Sequence, residues 1–317
     1  MLRSRRMYDL CFRSLQGLPL PARALTTLLI ESIIGRLLVT RQVVVCSYVW
    51  MANHPHMQLL SLDSRALTSF HGQLKKRLND FIKRLLDLTH LTLWDNRTTL
   101  AEVLDLEAAI NRIVYSYLNP VRAGLVSSID EYKGCNTWKE FISAPADLHA
   151  VVTKEVPWIL ATDIDPLSHR NPSLSEEKRA LEALKDKAAK RQTHTLEIQP
   201  FRWLEAFGIS DPKEIEKIRA RIISRVREEE AKLAVKRSSP ERLAGFIVTD
   251  EYIPPKKERK VFMYGSSKEK RLDHLLLFRS FINKCKECYE LMKQGVKNIP
   301  WPPGCFIPPT PQLCNAL

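Results

Sequence analysis

The chain lacks an apolar run long enough to span a bilayer. Its most apolar early stretch, residues 25–39, is broken by Glu31 and Arg36, whereas about 20 uninterrupted residues would be needed. No apolar segment ending in small residues follows the basic start at residues 1–6, so no secretory signal is expected. Cysteine is sparse: seven in 317 residues, an odd number scattered along the chain. That excludes a disulfide framework and fits a reducing compartment. Cys285 and Cys288 make one C-x-x-C, but Cys305 and Cys314 are not paired in that way, so the spacing of a structural zinc site is missing. Only 10 glycines are present, which excludes collagenous or low-complexity character. Acids are in deficit, 36 against 49 Lys and Arg, leaving a net charge of +13. An excess of that size favours a polyanionic partner, nucleic acid before a membrane surface. The K/R-G-F/Y signature of a sheet-based RNA binder is absent.

What is present is globular. Hydrophobic residues make up 44% and charged residues 27%, and the length suits two domains. Residues 8–14 read as a strand, residues 22–39 as a helix and residues 42–51, rich in β-branched and aromatic side chains, as a central strand. A second strand is expected over 54–61, an amphipathic helix over 67–88 and a short strand over 91–94 ending in a loop at Asp95, Asn96 and Arg97. A helix over 102–118 should be stopped by Pro120. The order β-α-β-β-α-β-α predicts an α+β fold, a split βαβ (ferredoxin-like) antiparallel sheet with helices packed on one face. Residues 1–145 would form this domain. Residues 146–175, with Pro157, Pro166 and Pro172, read as a loose linker, and 176–317 as a mostly helical basic extension. Helices are expected over 174–191, 211–236 and 268–294, separated by a basic run with Lys256, Lys257, Arg259 and Lys260 and followed by a Pro-rich end. The first 145 residues hold 18 basic and 12 acidic residues, so the positive excess is not confined to the extension.

Two constellations can carry chemistry. His54-Pro55-His56 follows a hydrophobic strand. Residues i and i+2 of a strand share a face, so two imidazoles would converge about 7 Å apart, at a spacing suited to one metal ion or to two satisfied surface histidines. Tyr115 and Asn119, four apart, share a helix face. Tyr115 is either a nucleophile or an amphipathic core residue, and Asn119 either a metal ligand or the cap of a turn at Pro120. Tyr117 should point away from that face. Lys75, Lys76, Arg77, Lys83 and Arg84 on the 67–88 helix could grip phosphates or form a solvated face.

In combination these segments resemble a known family. Tyr48-Val49-Trp50-Met51-Ala52-Asn53-His54-Pro55-His56-Met57 is similar to the Y-x-x-M-P-N-H-V-H signature of single-tyrosine HUH transposases, the insertion-sequence 200-like type. Tyr115-Ser116-Tyr117-Leu118-Asn119-Pro120-Val121-Arg122-Ala123-Gly124-Leu125-Val126 resembles the Y-I-x-x-N-P-V-R-A-G-L-V signature of the REP-associated tyrosine transposase branch. Leu93-Trp94-Asp95-Asn96-Arg97 is similar to its L-W-x-G-R segment, and Glu131, Tyr132 and Trp138 fall where it carries D-Y-x-W-S-S. The resemblance spans residues 5–142 and, more weakly, the Trp301-Pro302-Pro303-Gly304 end. It implies a transposase that binds single-stranded or hairpin DNA. Tyr115 would be the nucleophile, His54, His56 and Asn119 the ligands of Mg²⁺ or Mn²⁺, and a 5′-phosphotyrosine the intermediate. It further implies a bacterial cytoplasmic, nucleoid-associated setting, with homodimer and monomer equally open. Lys75, Lys76, Arg77, Lys83, Arg84 and Arg97 are the expected DNA contacts, and Arg122 is expected in an ion pair or cap. Three positions depart from the pattern: Pro55 inside the histidine triplet, Ala52 for Pro, and Asp9 where the first strand often has His. The alternative is an inactive or domesticated hairpin-binding regulator.

Overall fold

Alternation sets the sheet. Along residues 6–14, Tyr8, Leu10 and Phe12 enter one apolar core while Met7 enters another on the opposite face. The computed structural model describes residues 2–17, 20, 23–40, 42–63, 65–168, 172–236, 261–305 and 307. Its elements are β1 (Arg6–Ser14), α1 (Arg23–Leu38), β2 (Val43–Trp50), β3 (Pro55–Ser61), α2 (Ala66–Leu85), β4 (Trp94–Val103) and α3 (Leu106–Arg122). These are followed by α4 (Trp138–Ser143), β5 (Val152–Pro157), α5 (Leu174–Ala189), β6 (Thr193–Ile198), α6 (Pro212–Lys236), β7 (Met263–Tyr264) and α7 (Lys268–Lys293). Lys256, Lys257, Arg259, Lys260, Cys314 and part of the Pro-rich end lie outside the described residues.

The protein mixes helix and sheet, as the α+β expectation requires. The main sheet has five strands in the order β2-β3-β1-β4-β7. β3 runs antiparallel to β1 and β2, and β4 antiparallel to β1. β7 joins β4 in parallel, so the sheet is not wholly antiparallel as expected: its fifth strand comes from the distant C-terminal region. β2 is fully buried yet lies at the sheet edge, where a central place was expected. Its outer side is covered by other chain: Trp50 N–H donates to the Cys135 carbonyl, Thr137 N–H to that of Tyr48, and Gln199 N–H to that of Val45. Cys46 is an extra residue in β2 opposite β3. This bulge resets the alternation, so that Val43, Val45, Tyr48 and Trp50 face one core and Val44, Cys46 and Val49 the other.

Helices cover both faces rather than one. α1, α2 and the β5–β6 pair pack on the first face, and α3, α4 and α6 on the second. α1 is buried on nearly all sides because it is covered twice, by the sheet and by the β5–β6 layer, and its Glu31 and Arg36 are satisfied there by Lys154 and the Ile159 carbonyl. Gly35 allows that second approach, since a Cβ there would sit 2.8 Å from Val156 Cγ2. The stretch read as a loose linker therefore holds a strand, and its Val156, Ile159 and Ile164 are core residues. Pro157 is the last residue of β5 rather than part of an unstructured tether.

Two further boundaries differ from expectation. β4 runs through Asp95, Asn96 and Arg97 to Val103, because β1 offers it a continuous partner from Tyr8 to Phe12. α3 consequently starts later, where the Asp105 carboxylate caps it by accepting from Ala108 N–H. It also continues through Pro120. The missing N–H falls near the end of the helix, where burial of Leu118 and Val121 holds the chain helical. Gly124 closes it at φ 73°.

Candidate functional site

The β2–β3 hairpin delivers the two histidines. Met51 N–H donates to the His54 carbonyl across the turn, and Pro55 opens β3, the strand position that tolerates a missing donor. Asn53 fixes the turn: its Nδ2 donates to the Gly17 carbonyl at 2.8 Å. Its Oδ1 then faces His54 Nδ1 at 2.6 Å. That oxygen only accepts, so His54 carries its proton on Nδ1 and keeps a free lone pair on Nε2. The ring centroids of His54 and His56 lie 5.0 Å apart, edge to face. His56 is buried, and neither of its ring nitrogens has a hydrogen-bond partner among the described residues. Burial lowers the pKa of both rings to about 3; His56 and Arg13 add to the effect at His54, and Arg112 and Arg13 at His56. Both imidazoles are therefore neutral at physiological pH, the form that binds a metal ion.

The tyrosine comes from α3, which crosses the same face. The Tyr115 ring stacks edge-on to His56 at 5.4 Å. Arg112, Tyr115, Asn119 and Arg122 follow each other at steps of three, four and three, and so share one side of the helix. The Arg112 guanidinium lies 4.4 Å from the Tyr115 centroid and that of Arg122 5.1 Å. Asn119 is a buried residue inside the helix, not a cap, and its Nδ2 lacks a partner among the described residues. Tyr117 points the other way, packed on Trp138 at 4.8 Å with its hydroxyl 3.2 Å from Thr137 Oγ1. Burial pushes its phenol far above the ordinary value.

A buried polar network lies beneath the tyrosine. Asp9, fully buried, binds Arg112 Nη2 at 2.8 Å and accepts from Gln58 Nε2 at 2.7 Å. Gln58 Nε2 also reaches Ser116 Oγ, and Gln58 Oε1 accepts from Ser47 Oγ at 2.7 Å. Burial raises the Asp9 pKa against the pull of Arg112 and Gln58. The acid that departs from the resembled pattern is thus the anchor of Arg112. Sequence reasoning passed over Arg13, Gln58, Arg112 and the stacking role of Arg122. The helical spacing of the two arginines from Tyr115 was the available signal, and for Gln58 its place two residues after His56.

The expected DNA contacts are dispersed. α2 packs on the face opposite α3, so Lys75, Lys76, Arg77, Lys83 and Arg84 lie across the sheet from Tyr115. Lys75 Nζ bonds Thr98 Oγ1 at 3.2 Å, and Arg84 Nε the Ile164 carbonyl at 3.3 Å. Arg97 lies on β4 beside Thr98, which pairs with Phe12, at the sheet end where His56 pairs with Cys11. The Arg122 guanidinium stands over the Tyr115 ring, in the last turn of α3, and its charge also acts on the Glu229 carboxylate.

Among the described residues no three His, Cys, Asp or Glu gather as a metal site. A cation here would rest on two neutral imidazoles and the Asn119 amide oxygen. The unpartnered His56 nitrogens fit that set, which suits Mg²⁺ or Mn²⁺ beside phosphate oxygens. No described helix is long and apolar enough to cross a membrane.

A scan of protein-family models and a search of curated proteins found no match. Among solved structures, the chain is similar to a REP-associated tyrosine transposase bound to a REP hairpin. That similarity has 17% identity and a TM-score of 0.37, over 45% of this chain and 82% of that one.

Proposed function

We propose that the protein is a metal-dependent tyrosine nuclease and strand transferase acting on single-stranded or hairpin DNA, a transposase of the REP-associated tyrosine kind. One observation carries the reading: Tyr115 stacks on His56, which stacks on His54, and the buried nitrogens of His56 have no partner among the described residues. A buried imbalance of this sort is costly unless a ligand completes it. The order β2-β3-β1-β4, antiparallel at each contact, supports the split βαβ reading of the core.

His54 Nε2, His56 and the Asn119 side-chain oxygen would hold the ion. The chemistry a bound Mg²⁺ or Mn²⁺ supplies there is polarisation of the scissile phosphate and neutralisation of its developing charge. Tyr115 Oη attacks phosphorus, and the bond to the 3′ oxygen breaks. The phenolic proton is balanced by the new 3′-hydroxyl, leaving a 5′-phosphotyrosine. The 3′-hydroxyl can attack in reverse, so strand transfer needs no outside energy source. Arg112 and Arg122 keep the nucleophile's ring in place and surround it with positive charge.

The test is a covalent-adduct assay. Purified protein, single-stranded oligonucleotides spanning the palindromes beside its gene, and Mn²⁺ or Mg²⁺ should give a shifted band on a denaturing gel. The band should vanish with Tyr115→Phe and with chelator. Tight hairpin binding without an adduct would replace this reading with that of a binding regulator, and Pro55→Val would be the first reversion to try.

A further inference from the structure

Strand β7 brings one side chain into the site from far along the chain. The Arg112 guanidinium lies 4.2 Å from the Tyr264 ring centroid, as close as it lies to Tyr115. Its third contact is the Asp9 carboxylate. The segment around Tyr264 also grips the start of the tyrosine helix. Ser266 N–H and Oγ both donate to the Asp105 carboxylate, at 2.9 and 2.8 Å, and Asp105 is the residue that caps α3. Leu104 N–H donates to the Tyr264 carbonyl at 2.8 Å and Glu102 N–H to that of Phe262 at 3.2 Å. The helix carrying Tyr115 is thus held by residues 262–266 at its first turn and again at Arg112.

From this geometry we infer that Tyr264 is a positioning residue for Tyr115. With Asp9 it confines the Arg112 guanidinium, and that planar group over the Tyr115 ring sets the ring's orientation against His56. The inference rests on the nuclease reading above. A phenol ring otherwise turns freely about two side-chain bonds, and a nucleophile's rate depends steeply on its approach. A spare-nucleophile role suits Tyr264 less well, because burial and the Asp9 charge push its phenol up to about 12.

The test uses the full chain labelled with 3-fluorotyrosine, the Tyr115 fluorine resonance being assigned with Tyr115→Phe. Tyr264→Ala should shift or broaden that resonance. It should also slow adduct formation by about 10-fold or more at saturating oligonucleotide, leaving the half-saturating concentration unchanged. Tyr264→Phe keeps the aromatic face and should restore both. Tyr264→Leu keeps bulk without a π face, carries the same expectation as alanine, and serves if the alanine variant does not fold. Tyr264→Ala combined with Arg112→Lys should cost no more than the larger single change. An unmoved Tyr115 resonance with an unchanged rate in Tyr264→Ala overturns the inference, as does a phenylalanine variant as defective as alanine. If the wild-type protein forms no adduct, the nuclease reading fails, and the fluorine measurement alone decides whether Tyr264 holds the Tyr115 ring.

Discussion

Towards α1 and α2 the sheet presents Tyr8, Leu10, Phe12, Val45, Met57 and Leu59, whereas towards α3 it presents Asp9, Ser47, His56 and Gln58 within an apolar surround. The first face meets amphipathic α2 with Leu67, Phe70, Leu74 and Leu78, and the contact between sheet and helix is apolar. The second meets a helix that puts Arg112, Tyr115, Ser116 and Asn119 among its apolar contacts. One sheet thus separates two tasks. Non-directional burial on one side supplies stability, and it allows the other side to carry buried polar groups that only hydrogen bonds and ion pairs can satisfy.

The largest expected effects break each face by its own mechanism. Phe70→Ala should cost about 3–5 kcal/mol through a cavity, read from denaturant unfolding. Asp9→Ala should cost a similar ~3–5 kcal/mol for a different reason, since it leaves the Arg112 charge partly buried without its acid. Rescue separates the mechanisms. Adding Arg112→Leu should recover most of the Asp9→Ala loss, while no change of charge repairs Phe70→Ala. Failure of that rescue would mean that Asp9 matters for packing, and that the two faces are alike.

Next comes acid sensitivity of the metal-free protein. His54 and His56 hold pKa values near 3 in the fold, against 6.5 for an ordinary histidine. Below about pH 6.5 the unfolded chain therefore binds protons that the native state refuses. Their contribution is complete above that pH and is lost as pH falls towards 3. A His54→Gln/His56→Gln double variant should show a flatter stability profile over that window. Measured in chelator, the single His56→Leu change should leave stability equal to wild type or higher by about 1–2 kcal/mol, because it removes two unsatisfied buried nitrogens. With Mn²⁺ added, only the wild type should gain in melting temperature. A large loss in chelator would show that His56 has a structural partner.

The sequence made the first face readable and the second only partly so. The period of Leu67, Phe70, Leu74 and Leu78 announces α2, and the β-branched run announces β2. His54 and His56 share a face through strand geometry, and Tyr115 and Asn119 through helix geometry, so those pairs were also legible. The extent of β4, the passage of α3 through Pro120 and the edge position of β2 were not, because each is decided by a partner distant in the chain. Residues 146–175 misled for the same reason. Val156, Ile159 and Ile164 form no local period, and become core only once α1 is there to receive them. Tyr264 sits in a two-residue strand whose partner is β4, so nothing near it in sequence could have announced its contact with Arg112.

The smallest expected effect bears on where DNA lies relative to the two faces. Lys75 and Arg84 already bond Thr98 and the Ile164 carbonyl, Arg77 and Lys83 are half-buried, and Lys76 is exposed in the middle of α2. Arg122 is exposed too, but it stands over Tyr115. Each phosphate contact steepens the fall of affinity with salt by about one in a log–log slope. Alanine at either position should change folding stability by less than about 0.5 kcal/mol, as expected of exposed sites. Arg122→Ala should flatten the salt slope for a single-stranded oligonucleotide by about one, and Lys76→Ala should leave it unchanged, because a strand positioned for Tyr115 runs on the α3 side of the sheet. Equal flattening by both would mean that the strand wraps the sheet edge and reaches α2. The positive excess shared by the two halves of the chain would then act as one continuous phosphate track.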